Sequence, residues 1–200
     1  MLAPNISIFP VRLSDWCDIN NVKLIHISTD CVFDGISGLY SESATSFSRD
    51  VYGLSKRVGE PENSMVLRTS IIGPEDKNFY SLYSWVFRQS KIVNGFVNHY
   101  WNGVTTWELA RIIVTVINNG LWELGVKHIF GEDLTKYDLL CKINLCFNLG
   151  LCVNKYFDFE ARDMRLRSNF RDFLEKLEVK SMDDQLISLR GVTGDNGGHG

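Results

Sequence analysis

Tyr52 and Lys56 stand four residues apart in the segment Val51-Tyr-Gly-Leu-Ser-Lys-Arg-Val-Gly-Glu60. On a helix that spacing puts a phenol and an ammonium on one face, within mutual reach. A phenol ordinarily loses its proton at a pH of about 10, and a neighbouring cation favours the phenolate, a tenfold gain being worth ~1.4 kcal/mol. Such a pair suits proton donation to an oxygen on which negative charge develops, as when hydride reaches a carbonyl carbon. Alone, Y-x-x-x-K is a weak signal, because both residues are common on exposed helix faces. It gains weight from Ser28-Thr29-Asp30, which ends an apolar run. A Thr29 hydroxyl at a strand end would hydrogen-bond the same oxygen and fix its position. The plain alternative makes Thr29 a loop hydroxyl and Asp30 a turn former.

The elements that must position these groups can be read around them. Lys23-Leu-Ile-His-Ile-Ser28 has the compact apolar character of a buried parallel strand. Before it, Ser14 can cap a short helix over Asp15 to Asn20. After it, a polar loop containing Gly35, Gly38, Ser41, Ser43, Ser46 and Ser48 leads to Asp50, a cap for a helix from Val51 to Glu60 that Pro61 ends. Met65-Val-Leu-Arg-Thr69 is a second strand, broken at Gly73-Pro74. Strand, loop, helix, strand is the grammar of a parallel α/β sheet, where sites form at the carboxyl ends of strands. That rule singles out Ser28 to Gly35 and Thr69 to Pro74.

Farther on, Phe79 to Ser90 is amphipathic and rich in aromatic residues, and Lys91 to Val97 is extended. Thr105-x-x-Glu108 predicts a capping box for a helix from Trp107 to Asn118 that Gly120 stops. Val126 to Phe130 reads as a strand, Thr135 to Asn148 as a helix, Leu151 to Phe157 as a strand and Ser168 to Leu177 as a helix. Residues 191–200 read as a flexible glycine-rich tail.

Composition narrows the class. Two hundred residues, 44% hydrophobic, support one sizeable core or a core with a small annex. The 21 basic and 24 acidic residues show no long single-sign run, so neither nucleic acid nor a membrane is an expected partner. No apolar stretch reaches the roughly 18 residues of a spanning helix. Five cysteines without a C-x-x-C pair read as reduced, buried thiols in a cytoplasmic protein. His26 reads as a core residue, and the other histidines lack metal-ligand spacing, so no metal site is expected. Arg162, Arg165 and Arg167 read as a solvated face or, alternatively, a diphosphate clamp.

Several segments together carry a family resemblance: Lys23 to Gly35, Tyr40-Ser-Glu42, Val51 to Glu60, Leu67-Arg-Thr-Ser70, Gly103 to Ala110 and Leu134 to Leu140. Over residues 7 to 175 the chain resembles the dTDP-4-dehydrorhamnose reductase family of extended short-chain dehydrogenase/reductases. The resemblance implies an α/β fold with an incomplete Rossmann-like parallel sheet in residues 1–75, and a smaller mixed α/β sugar-nucleotide-binding part in residues 76–190 that also returns sheet elements. It implies NADP or NAD as cofactor and reduction of the 4-keto group of a nucleotide-linked deoxysugar. By motif position, Thr29, Tyr52 and Lys56 are then catalytic, with Tyr52 and Lys56 also on the cofactor beside Thr69, Ser70 and Ile71. Thr29, Asp30 and Val32 face the substrate.

Members of that family open with a strand, a Gly-rich turn and a helix that bind the pyrophosphate, and no counterpart precedes the matched segments here. Gly191-x-x-Gly194-x-x-Gly197 has similar spacing at the opposite end of the chain. A second expectation therefore stands beside the enzyme: a non-catalytic binding or regulatory subunit, like that of methionine adenosyltransferase, which resembles the same family. A homo-oligomer or a complementing chain is a further expected partner.

Overall fold

The computed structural model describes residues 4–75 and 81–194. In chain order the first half holds α1 (Pro4–Ile19), β1 (Ile25–Thr29), a 3-10 turn (Asp30–Val32), α2 (Val51–Val58), β2 (Met65–Thr69), β3 (Ile71–Ile72), α3 (Leu82–Val86), β4 (Ile92–Phe96) and β5 (His99–Trp101). There follow β6 (Val104–Thr105), α4 (Thr106–Asn118), β7 (Gly125–His128), β8 (Leu134–Thr135), α5 (Lys136–Phe147), β9 (Cys152–Tyr156), β10 (Arg162–Asp163), α6 (Arg171–Leu177) and α7 (Met182–Thr193).

The sheet that positions the site is parallel, in the order β1-β2-β7. Its first register runs from Ile25 opposite Met65 to Thr29 opposite Thr69, so both strands end together. Alternation along β1 separates two faces. Ile25 and Ile27 pack on a core of Leu67, Ile112, Val116 and Leu177, beneath α4 and α6, whereas Ser28 turns to Glu60, its Oγ donating at 2.5 Å. β2 is buried at every position. It accommodates Arg68 because Glu60 takes the guanidinium with both oxygens, at 2.8 and 2.6 Å.

The remaining strands are short. β5 pairs antiparallel with β8 and parallel with β10, while β3 with β6 and β4 with β9 form parallel pairs. They surround a second core of Trp101, Leu139, Ile143, Met182 and Leu186. Residues beyond 76 thus complete the first sheet, through β7, α4 and α6, and build the second core.

Several local expectations are corrected. α1 begins at Pro4 and encloses Ser14, which is buried within the helix instead of capping one. The helix passes through Pro10, whose missing N–H frees the Ile6 carbonyl from the helix ladder. Gly59, after α2, lies against that carbonyl, so close that a Cβ there would stand 2.1 Å from it. At α4, Thr105 accepts from the Glu108 N–H at 3.1 Å, but the box does not close. The Glu108 carboxylate binds Arg111 and the Lys180 N–H, and Gln185 takes the Thr105 N–H at 2.8 Å. A complete capping box occurs instead at Thr135 and Asp138, opening α5.

Gly191 to Thr193, read as tail, form the last turn of α7, and Gly194 caps it. Gly191 and Gly194 therefore end a helix and do not form a phosphate loop that opens one, while Gly197 lies outside the described residues, as do Phe79 and Tyr80 of the aromatic segment. All five cysteines are free, yet only Cys17 is buried, and Cys152 is exposed. No described helix is long and apolar enough to cross a membrane.

Candidate functional site

β1 delivers Thr29 to the mouth of the sheet. Its Oγ1 caps the following 3-10 turn by accepting the Cys31 N–H at 3.1 Å, and its hydroxyl donates to Asp30 Oδ1 at 3.1 Å. From the other side, Asp50 caps α2 through the Gly53 N–H at 2.8 Å and so fixes Tyr52 in the first turn. The Thr29 hydroxyl and the Tyr52 phenol face each other, and their hydrogen bonding draws the phenol toward ionisation. Burial outweighs this and, with Cys31, Asp30 and Asp50 nearby, holds the phenol above its ordinary value, so the protonated acid form prevails at neutral pH. Half of the Tyr52 side chain remains open to solvent.

Lys56 does not act as the expected electrostatic partner in this arrangement. Its Nζ donates to the Ile27 carbonyl of β1 at 3.1 Å, and burial lowers its pKa against the opposing pull of Glu60. The phenol and the amine thus share a helix but serve different neighbours.

Asp30 is 3% exposed. Burial raises its pKa, while hydrogen bonds from Thr29, Ser70 and Cys31 and the charge of Lys136 oppose the shift. Ser70 follows β2 directly; Thr69 is buried at the strand end, and its hydroxyl donates to the Ser70 carbonyl at 3.3 Å. Ile71 lies in β3, 48% exposed. Val32 departs from expectation: its side chain is fully buried with Phe33, Tyr40 and Leu166, since the 3-10 turn directs it into the loop's own core and away from the mouth. The structure therefore brings Thr29, Asp30, Tyr52 and Ser70 together, ties Lys56 to β1 and leaves Val32 out. Lys136, which the sequence did not single out, joins the group from the start of α5.

The arginine cluster is engaged. Arg165 binds Asp163 and Asp133, and Arg167 binds Asp133 at 2.5 Å, so the network holds two of the three guanidinium groups, and only the exposed Arg162 stands loosely, 4.0 Å from Glu160. Among the described residues no cluster of His, Cys, Asp and Glu could hold a metal ion.

Comparison with known proteins gives this geometry its context. The RmlD substrate binding domain matches residues 6–148. A dTDP-4-keto-6-deoxy-D-glucose reductase of Streptomyces niveus is 33% identical over 140 residues, 64% of this chain and 47% of that protein. The methionine adenosyltransferase 2 subunit beta of Danio rerio is 31% identical over 141 residues, 63% of this chain and 44% of that protein. The chain spans about half the length of these curated relatives. Among solved structures, a dTDP-4-dehydrorhamnose reductase of Bacillus anthracis in complex with NADP superposes with a TM-score of 0.78 at 21% identity, over 94% of this chain and 72% of that one. A dTDP-glucose 4,6-dehydratase from the same organism, in complex with NAD, superposes with a TM-score of 0.70 at 16% identity, over 94% of this chain and 67% of that one. Both describe a Rossmann-like fold, and the sequence match extends well past half of the chain: this protein belongs to the RmlD substrate-binding domain family.

Proposed function

We propose that this chain carries the Thr-Tyr-Lys part of a reductase that uses NADPH or NADH to reduce the 4-keto group of a nucleotide-linked deoxysugar. The observation that carries the reading is the facing of the Thr29 hydroxyl and the Tyr52 phenol at the common end of β1 and β2. A carbonyl oxygen between them accepts a hydrogen bond from Thr29, whose hydroxyl proton turns to it from Asp30 Oδ1, and, as negative charge grows, a proton from Tyr52. The raised pKa of Tyr52 keeps that proton in place beforehand.

The residues at this mouth suit the nicotinamide riboside end of the cofactor: a half-exposed phenol, an amine one helical turn away, and Ser70 and Ile71 at the strand end. When bound, the cofactor supplies the hydride. Lys56 would exchange the Ile27 carbonyl for ribose hydroxyls. Residues 76–190 provide the sugar side, and the five free thiols accord with a cytoplasmic setting.

The second reading, a non-catalytic regulatory subunit, draws support from the engaged Lys56 amine and from the relatives named methionine adenosyltransferase 2 subunit beta. Absorbance at 340 nm with NADPH and dTDP-4-dehydro-6-deoxyglucose or dTDP-4-dehydrorhamnose separates the two. The enzyme reading expects NADPH oxidation that Tyr52→Phe abolishes. No oxidation, or equal rates for both proteins, overturns it in favour of the subunit.

A further inference from the structure

α1 inverts the usual pattern of a surface helix, which turns its large apolar residues inward and its polar ones to solvent. The side of α1 that packs on the molecule carries Ser7, Pro10, Ser14 and Cys17, all buried and all compact. The opposite side carries Ile8, Phe9, Trp16 and Ile19, which are between 50% and 80% exposed. α2, which packs on α1, leaves Val51, Leu54 and Val58 exposed as well. Large apolar side chains gathered on one outward face mark a surface that another molecule covers.

The spacing along α1 selects the occupant. Ile8, Arg12, Asp15 and Ile19 follow one another at intervals of four, three and four residues, which aligns them in one seam along the helix. Arg12 and Asp15 are exposed, and among the described residues their side chains make no hydrogen bond and no ion pair. The order apolar, basic, acidic, apolar is complementary to itself when reversed. Against an antiparallel copy, Ile8 meets Ile19 and Arg12 meets Asp15, and each pair occurs twice about a two-fold axis, as an isologous interface requires. Phe9 and Trp16, seven residues apart, lie on one flank of the seam, and the two-fold keeps both copies' rings on that flank. An anionic membrane is a poorer occupant, because Asp15 and Asp18 outnumber Arg12 on this helix.

We propose that α1 docks antiparallel on α1 of a second copy of this chain, with reciprocal Arg12–Asp15 pairs across the axis. The proposal is independent of the reductase reading. The charges set the register, and the apolar side chains supply the affinity. Analytical ultracentrifugation of the full chain tests it. At about 100 µM, above the micromolar constants of modest interfaces, wild type is expected to sediment with twice the 22.9 kDa of one chain. Arg12→Asp sets acid against acid twice and is expected to weaken the dimer at least about tenfold, with an unchanged melting temperature of the monomer because the position is exposed. Arg12→Asp combined with Asp15→Arg exchanges the signs, restores the reciprocal pairs and recovers the dimer, a result that damage to the fold could not give. A monomeric wild type overturns the proposal, and so does a dimer that Arg12→Asp leaves intact or that the double exchange fails to restore. Retention of a monomeric wild type by phosphatidylserine vesicles assigns the face to a lipid surface and overturns the second copy as its occupant.

Discussion

Gly53 approaches Cys31 so closely that a Cβ on Gly53 would stand 2.2 Å from the Cys31 carbonyl oxygen. This contact presses α2 against the 3-10 turn and brings Tyr52 opposite Thr29. A rigid carbonyl cannot yield as a side chain would, so Gly53→Ala must push α2 outward. The expected cost is that of overpacking, ~1–3 kcal/mol, read as a lower melting temperature and denaturant midpoint. A Gly53→Ala protein that melts with wild type would show that the contact does not set the spacing.

Tyr52→Phe should leave stability within about 0.5 kcal/mol of wild type, because it removes only a hydroxyl from a half-exposed ring. Under the reductase reading it lowers turnover by at least about a hundredfold, the loss of a general acid. Thr29→Val separates the other partner. It keeps the shape, deletes the cap on the Cys31 N–H and costs ~1 kcal/mol of stability together with turnover, whereas Thr29→Ser retains most of both. A paired loss of stability and activity in Tyr52→Phe would argue for a structural tyrosine.

Arg68 and Glu60 test what holds the sheet to α2. Both side chains are nearly solvent-free and joined by two bonds, so removing one partner leaves a charge uncompensated. Glu60→Gln is expected to destabilise by ~3–5 kcal/mol, and the joint replacement Glu60→Met with Arg68→Met by less. Urea titration of the three proteins gives the comparison. A double variant weaker than Glu60→Gln would mean the pair contributes more than the relief of an orphaned charge.

Much of this arrangement was legible in local sequence, for reasons that differ by residue. β2 appears as an apolar run because a strand buried at every position needs little alternation, β1 appears because its isoleucines line one core-facing side, and Asp50 marks α2 because a cap acts within three residues. α1 was read short because Ser14 looks like a cap; its earlier turns run through Pro10, and what accommodates the freed Ile6 carbonyl is Gly59, distant in sequence. α7 was hidden by the glycines that end it, although Ser181 and Asp184 form a cap signal. Val32 and Lys136 show the same limit at the site. One sits in a loop yet is fully buried, the other carries a charge yet is drawn inward, and both outcomes depend on partners supplied by tertiary packing.

Lys136 also makes a prediction about pH that is independent of any ligand. Its folded-state pKa is lowered by burial from the ordinary 10.5. Below that lowered value the ammonium is protonated in both states, and the native state bears the cost of desolvating it. As pH rises past the lowered value the native chain releases this proton while the unfolded chain keeps it, so the unfolded state binds more protons and stability rises with pH, until the unfolded value is passed. Lys136→Met lacks this term, and all other titrating groups are common to both proteins. The variant should therefore exceed wild type in stability at pH below the lowered value, and the gap should narrow as pH climbs from there toward 10.5. Urea midpoints of the two proteins measured in parallel across that range supply the test. A gap that stays constant or widens would mean that the ammonium is well solvated or already paired in the native state.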